Sequence, residues 1–578
     1  MPFHRWTPSR VSTERTPIPR HFVEVAGRQV HYRRLGAGPP LVMLHASPLS
    51  SQSLEERMRP LAARWTVIAL DTPGYGRSAP LSNPQPEILD YAIALEKTLQ
   101  ALGLRRVVLY GRHTGACIAV SLAGRLPDRV AAIWCDGYPV LDATARARYL
   151  GDYLHTAAPV WDGSHLTWHW YRYREQCIHW PWNVQTAETR ADADLPALDE
   201  LHRGTLDMLT AQPCYTTAYA AAFRFDSLGA LAKVSCPVLF AARPGDSLYR
   251  AIDALPSLPP YMQVVAVPRE AVAASAVECE ALERFATGLP AAPNPPSVTA
   301  GPAYVRGPYG ELALESGGSD DGRPWLLLPP APGTAGLLDG DAERQRPAGA
   351  WLSVDLPGHG HSGPVPPEQH TLAAYAEAIE WVCRELEIRE PLLYGSGTGA
   401  AVALELALRK RVSPGALALD DLPVLATEAR KIWRERLAIE LAPSTEGAHL
   451  LRAWHQLRDL ALWAPARAGR HDAIRLPAWS IEPADLQRRV LPVLLRPEAS
   501  AAGWRALLAE DLAWRLDVLG VPLVLVSRPD AMLGRVPPGL ADRPAAGGHV
   551  LQLPLGRSPV AAATASCVAM LSTAPSST

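Results

Sequence analysis

Short apolar runs alternate with helical periodicity along this chain, and the succession occurs twice. Leu41–Leu44 and Thr66–Leu70 are unbroken apolar stretches bounded by turn residues. Such runs read as strands buried on both faces. Tyr91–Leu102 then spaces its apolar residues as one face of a helix, and Val107–Tyr110 is a third strand that enters a Gly-rich turn directly. The same order returns at Trp325–Leu328, Ala350–Val354, Leu372–Leu386 and Pro391–Tyr394. Strands alternating with helices predict a mostly parallel sheet covered on both sides. After Pro139 and Pro423 the pattern becomes helical, rich in aromatic residues and Arg. Strand-like Pro237–Ala241 and Pro522–Val526 then resume the sheet. Each intervening segment is expected to be a helical cap.

The two successions are one sequence written twice. Asp71-Thr-Pro-Gly-Tyr-Gly-Arg-Ser78 recurs as Asp355-Leu-Pro-Gly-His-Gly-His-Ser362, an offset of 284. At the same offset Leu41–Pro48 returns at Trp325–Pro332, Tyr110–Ala116 at Tyr394–Ala400, and Gly163–Leu166 at Gly447–Leu450; Trp170 matches Trp454, and Arg174 matches Arg458. A tandem duplication is the simplest source of one register held over so long a stretch. The expected organisation is an arm at 1–21, a first domain at 22–290 with its cap at about 141–230, a Pro-rich linker at 291–302, a second domain at 303–572 with its cap at about 425–513, and a tail at 573–578.

Three of these motifs resemble the α/β-hydrolase superfamily, in both halves and over almost the whole chain. They are the loop at His45–Pro48, the D-x-P-G-x-G-x-S turn and the strand–G-x-x-x-G–helix turn. The resemblance implies two tandem domains of the α/β class, each a sheet flanked by helices with an inserted cap. It also implies a nucleophile elbow, G-x-S-x-G, whose Ser sits on a strained strand-to-helix turn, together with a His after the last strand and an acid that orients it.

The chain departs from that pattern where chemistry would be done. The elbow reads Gly111-Arg-His113-Thr-Gly115 in the first half and Gly395-Ser-Gly397-Thr-Gly399 in the second. Neither offers a nucleophile at the central position. The expected last strands, Met262–Val267 and Val550–Leu553, are followed by no His; His549 precedes its strand. An acid stands at Asp246 and Asp530 in one family position and at Asp136 and Asp420 in another. In the second half Pro329 and Pro330 replace the His-Gly of the oxyanion loop, and proline has no N–H to donate.

His113 is therefore the central candidate, a general base paired with Asp136 or Asp246; a decayed elbow is the other reading. His45, Ala46 and Ser47 are expected to line the oxyanion loop of a pocket, with Thr114 beside the elbow; Thr114 and Thr398 equally fit local helix-start bonding. Trp168 and Trp170, in a cap segment dense in Trp, Tyr and His, fit a pocket for a flat apolar ligand or the packing of cap helices. His165 and His169 stand one helical turn apart, but a metal site lacks further ligands, so no metal or other cofactor is expected. Arg174–Glu175 and Arg458–Asp459 read as ion pairs within the caps.

Composition narrows the field further. Of 578 residues 48% are hydrophobic and 20% charged, with 56 Lys+Arg against 58 Asp+Glu and a net charge of -2, so nothing suggests a nucleic-acid partner. No apolar run is long enough to span a membrane. The Arg-bearing first residues lack the apolar core of a signal peptide, and the eight cysteines are dispersed, so a cytoplasmic location with reduced thiols is expected. The expected function is that of a hydrolase or lyase without a serine nucleophile, acting on a small apolar or aromatic molecule in the first half, with the second half non-catalytic. A pseudoenzyme that binds a ligand or acts as a scaffold is the alternative. The oligomeric state is left open.

Overall fold

A computed structural model describes residues 16–296, 300–319, 322–338, 346–347, 349–464, 474–475, 481–529, 531, 533, 536–537, 539–544, 547–554 and 559–573. The first half carries eight strands, β1 (Arg20–Val25), β2 (Arg28–Leu35), β3 (Pro40–Leu44), β4 (Thr66–Leu70), β5 (Val107–Arg112), β6 (Val130–Asp136), β7 (Val238–Ala241) and β8 (Met262–Val264). They form one sheet in the order β1-β2-β4-β3-β5-β6-β7-β8. The β1–β2 and β2–β4 pairings are antiparallel and the others parallel. Every residue of β3 and β4 is buried, as unbroken apolar runs require when helices cover both faces.

The second half repeats the plan with β9 (Gly301–Gly307), β10 (Gly310–Gly317), β11 (Trp325–Leu328), β12 (Trp351–Val354), β13 (Leu392–Ser396), β14 (Ala416–Asp420), a separate two-stranded ladder β15 (Trp463–Ala464) and β16 (Ile474–Arg475), then β17 (Leu523–Ser527) and β18 (Gly548–Gln552). Its main sheet runs β18-β17-β14-β13-β11-β12-β10-β9, the same neighbours as in the first half. Two details differ from the sequence reading. β9 begins inside the segment expected to be linker, and His549 lies within β18 rather than before it, where its Nε2 is 2.7 Å from the Ser566 hydroxyl. Asp530 lies outside the described residues.

The helices that matter for the site are α1 (Ile88–Ala101), α2 (Thr114–Arg125), α3 (Ser164–Ile178), α4 (Leu198–Thr210), α5 (Thr398–Arg409), α6 (Ala448–Leu462) and α7 (Pro483–Leu494). α2 and α5 start at the two elbows. The helices α3 and α4 lie between β6 and β7, in the segment expected to be the first cap, and α6 and α7 between β14 and β17, in the segment expected to be the second. The caps meet. Leu166 and Trp170 of α3 share one apolar core with Leu450 and Trp454 of α6 and Val490 of α7. The contact is a pseudo-twofold. Trp170 Nε1–H donates to Thr445 O at 3.2 Å, and its counterpart Trp454 donates to Trp161 O at 3.0 Å. His165 meets the Trp454 ring edge-on, as His449 meets Trp170. A self-matching contact of this kind is how two copies of one fold pair in a twofold dimer.

A second contact joins the outer strands of the two sheets. Arg20 on β1 pairs with Glu311 on β10 at 2.5 Å, Arg77 donates to the Tyr304 hydroxyl at 2.7 Å, and Phe22 stacks on Tyr304. Among the described residues no helix is long and apolar enough to cross a membrane, and all eight cysteines are free.

Candidate functional site

The parallel strands of the first sheet end on one side, and the candidate residues gather there. β5 runs to Arg112, and the chain turns at His113 into α2 with φ 47° and ψ -108°. That combination is sparsely populated for a residue with a Cβ and is of the kind that costs about 1–3 kcal/mol. Gly397, at the same point of the second half, has φ 55° and ψ -116°. The turn is thus imposed by the fold: glycine meets it freely in one half, and an imidazole is held there against strain in the other.

The ring of His113 reaches the loop after β7. Its Nε2 lies 2.9 Å from Asp246 Oδ1, which also accepts the Leu248 N–H at 2.8 Å. Arg112 Nη2 is 3.1 Å from the other oxygen of the same carboxylate. Burial acts to raise the Asp246 pKa, but His113 and Arg112 outweigh it and hold the carboxyl well below its usual range. An ionised Asp246 accepts, so Nε2 is the nitrogen that donates to it, and Nδ1 is the nitrogen turned away from the carboxylate. Nδ1 makes no hydrogen bond among the described residues, and the side chain is 20% exposed.

Of the two acids the sequence left open, the structure brings Asp246 to the ring. Asp136 is placed beneath it: its carboxylate accepts the Tyr110 hydroxyl at 3.2 Å and lies 3.5 Å from Arg112 Nε and 3.6 Å from Arg57 Nη2. Its backbone carbonyl takes the His113 N–H at 3.0 Å. Asp136 therefore steadies the base of the elbow.

The other candidates divide. Thr114 is the buried first residue of α2, where a helix start leaves its backbone N–H groups free for an oxyanion. Ala46 and Ser47 are buried in the loop after β3. His45 is fully engaged in holding that loop: Nε2 accepts the Thr72 N–H at 2.9 Å and Nδ1 donates to Ala46 O at 3.0 Å. Burial lowers its pKa, so the neutral ring persists. Trp168 packs edge-on against His169 and Trp182 in the cap. Trp170 is spent on the contact with the second half, not on a ligand pocket. His169 Nδ1 is 2.7 Å from His165 O, a bond within the helix. Among the described residues no group of three His, Cys, Asp or Glu side chains could hold a metal. The expected Arg174–Glu175 pair is present at 3.0 Å.

Three participants escaped the sequence reading. Arg112 and Arg57 supply the charges that balance the two aspartates. Gly137 is the third: a Cβ there would fall 2.5 Å from His113 Cδ2 and 2.7 Å from Nε2. Its counterpart in the second half is Asp421. The exchange is readable in the duplication itself, since glycine stands at 137 where the elbow carries His113, and at the elbow where 421 carries a side chain. In the second half a Cβ on Gly397 would meet Pro330 Cβ at 3.4 Å and Leu533 Cδ1 at 3.7 Å, so apolar groups close over that elbow. Asp420 there is held by Arg528 at 2.9 Å and by Tyr394 at 3.2 Å.

In the first cap, a cleft of about 550 Å³ is lined by Arg174, Ile178, His179, Arg190 and Leu195 among others. It adjoins the acid loop through Ala193, which packs near Gly245, the residue before Asp246.

Residues 39–169 match the family model described as alpha/beta hydrolase fold. Together with the strand order seen in both sheets, this decides the architecture. The chain has the alpha/beta hydrolase fold. Among proteins similar to this alpha/beta hydrolase-fold chain is a haloalkane dehalogenase of Agrobacterium fabrum, 34% identical over 116 residues, which are 19% of this chain and 36% of that protein. Another is a 2-hydroxy-6-oxononadienedioate/2-hydroxy-6-oxononatrienedioate hydrolase of Pseudomonas putida, 36% identical over 107 residues, 18% of this chain and 37% of the relative. The matched stretches thus span little more than a third of these relatives' own length. A bromoperoxidase structure from Bacillus anthracis aligns with 46% of this chain and 99% of its own, at 20% identity and a TM-score of 0.35.

Proposed function

We propose that the first half is a hydrolytic or lyase-type site that uses His113 as a general base without a covalent nucleophile, and that the second half is non-catalytic. The observation that carries this reading is the His113 Nε2–Asp246 contact of 2.9 Å, which orients the ring and leaves Nδ1 as the basic nitrogen. In a hydrolysis, Nδ1 takes a proton from water and the hydroxide oxygen bonds to the electrophilic carbon. The bond to the leaving group breaks, and the proton on Nδ1 passes to that group. The backbone N–H of Thr114 and those of the Ala46–Ser47 loop are the donors for the oxyanion. The substrate is a small apolar or aromatic molecule.

The reading is tested by screening the full chain for turnover of small esters and of C–C-cleavable diketones, then repeating any positive reaction with H113A. Loss of about 10²-fold or more in rate with the fold retained is expected; full activity in H113A removes the assignment. The second half supports a different role. The covered elbow at Gly397, with Pro330 and Leu533 over it, fits a partner that does no chemistry.

A further inference from the structure

The second half touches the first through more than the symmetric Trp contacts. His202 on α4 places Nδ1 2.9 Å from His449 Nε2 on α6, and its Nε2 lies 2.8 Å from Leu494 O at the end of α7. The protons of this chain are fixed by its ends. Leu494 O only accepts, so His202 Nε2 donates and its Nδ1 accepts. His449 Nε2 must then donate, and His449 Nδ1 accepts the Ser444 N–H at 3.3 Å. Both rings are neutral and each has one allowed tautomer. The residue matching His202 in the second half is Gln487, which hydrogen-bonds His165, so a mirrored contact joins α7 to α3.

Helix α4 has a second attachment on a different side. Asp207 Oδ2 accepts both the N–H and the hydroxyl of Ser50, at 2.9 and 3.0 Å. Ser50 ends the loop that follows β3 and carries Ala46 and Ser47. The residue matching Asp207 is Pro492, which has no carboxylate to form such a latch. Between the two attachments α4 is packed without slack: a Cβ on Gly204 would fall about 2 Å from the Tyr173 ring of α3.

We propose that the second half is a positioning partner of the first, fixing α4 through His449 and Leu494 so that Asp207 holds the loop bearing Ala46, Ser47 and Ser50. His202, His449 and Asp207 are positioning residues. The histidine contacts are mirrored between the halves, but only α4 carries on through a carboxylate to a loop, so the link reaches the half with the His113–Asp246 pair. It stands whatever reaction the first half performs.

The test is hydrogen exchange of the full chain followed by peptide. His449→Leu removes the donor to His202 and is expected to speed exchange of the 45–54 peptide in the other domain by about five-fold or more, the effect of roughly 1 kcal/mol of lost local protection. His449→Gln, which keeps a donor, is expected to restore the wild-type rate. Asp207→Ala is expected to speed the same peptide, and the double variant to be no faster than Asp207→Ala alone, because both cut one link. An unchanged 45–54 peptide in folded His449→Leu, or additive effects in the double variant, overturns the proposal. Coupling is reciprocal, so Asp207→Ala must also speed the 444–450 peptide of the second half. That measurement decides the matter if His449→Leu does not fold, and an unchanged rate there overturns the proposal.

Discussion

At the scale of residues, the site is a trade between two positions repeated twice. His113 occupies a backbone conformation that glycine takes at 397, and Gly137 leaves the room its ring needs. Gly397→Ala is expected to destabilise the chain by about 1–3 kcal/mol, since a Cβ brings backbone strain at φ 55°; chemical denaturation measures this. Gly137→Ala is expected to displace the His113 ring from Asp246 and abolish any His113-dependent turnover. Normal rates in a folded Gly137→Ala chain would show that the pairing is dispensable. That His113 and Gly397 stand at the central elbow positions was legible in the sequence. The partner of His113 was not, because Asp136 and Asp246 follow adjacent strands and only the loop path after β7 brings one of them to the ring.

At the scale of elements, the buried strands were legible because residues covered on both faces must be apolar, as in Thr66–Leu70. The hairpins β1–β2 and β9–β10 were not. Arg28–Leu35 interleaves His31, Arg33 and Arg34 with its apolar residues and buries His31 and Arg33 in a polar network, so no apolar run marks it. The aromatic cap was misleading for a related reason: Trp170 and His165 serve a protein contact, and aromatic density alone does not tell an interface from a ligand pocket. The His202–His449 pair also gives α4 a pH dependence. Burial lowers the His202 pKa to about 4, and burial together with His202 and Arg452 lowers that of His449 to about 3. Unfolded, these rings titrate near 6.5. Between that value and 4 the unfolded chain binds the extra protons, so the pair's contribution is complete above about pH 6.5 and is lost as pH falls. Each unit of depression corresponds to about 1.4 kcal/mol. Asp207 acts in the opposite sense, since burial and the Asp71 charge raise its pKa to about 7. Comparing wild type with H202L/H449L cancels the Asp207 part. Denaturation from pH 7 to 4.5 is expected to show a steeper loss in wild type than in the double variant, and parallel curves would contradict this.

At the scale of the whole molecule, the two halves repeat one sheet topology and meet about a pseudo-twofold. The caps share one apolar core, and the outer strands meet through Arg20–Glu311 and Arg77–Tyr304. Cleavage at a protease site inserted near Pro293 is therefore expected to leave the halves together on a sizing column, and separation into two species would show that the contact depends on the linker. Catalysis is assigned to one copy and support to the other. The most direct test of that assignment is rapid-mixing hydrolysis of an activated ester by the full chain, with intact-mass analysis of the protein during turnover. The account expects release without a burst, no acyl adduct, and a rate about 10²-fold or more lower in H113A. A stoichiometric burst with an acylated residue, or release from wild type no faster than from H113A, would contradict it.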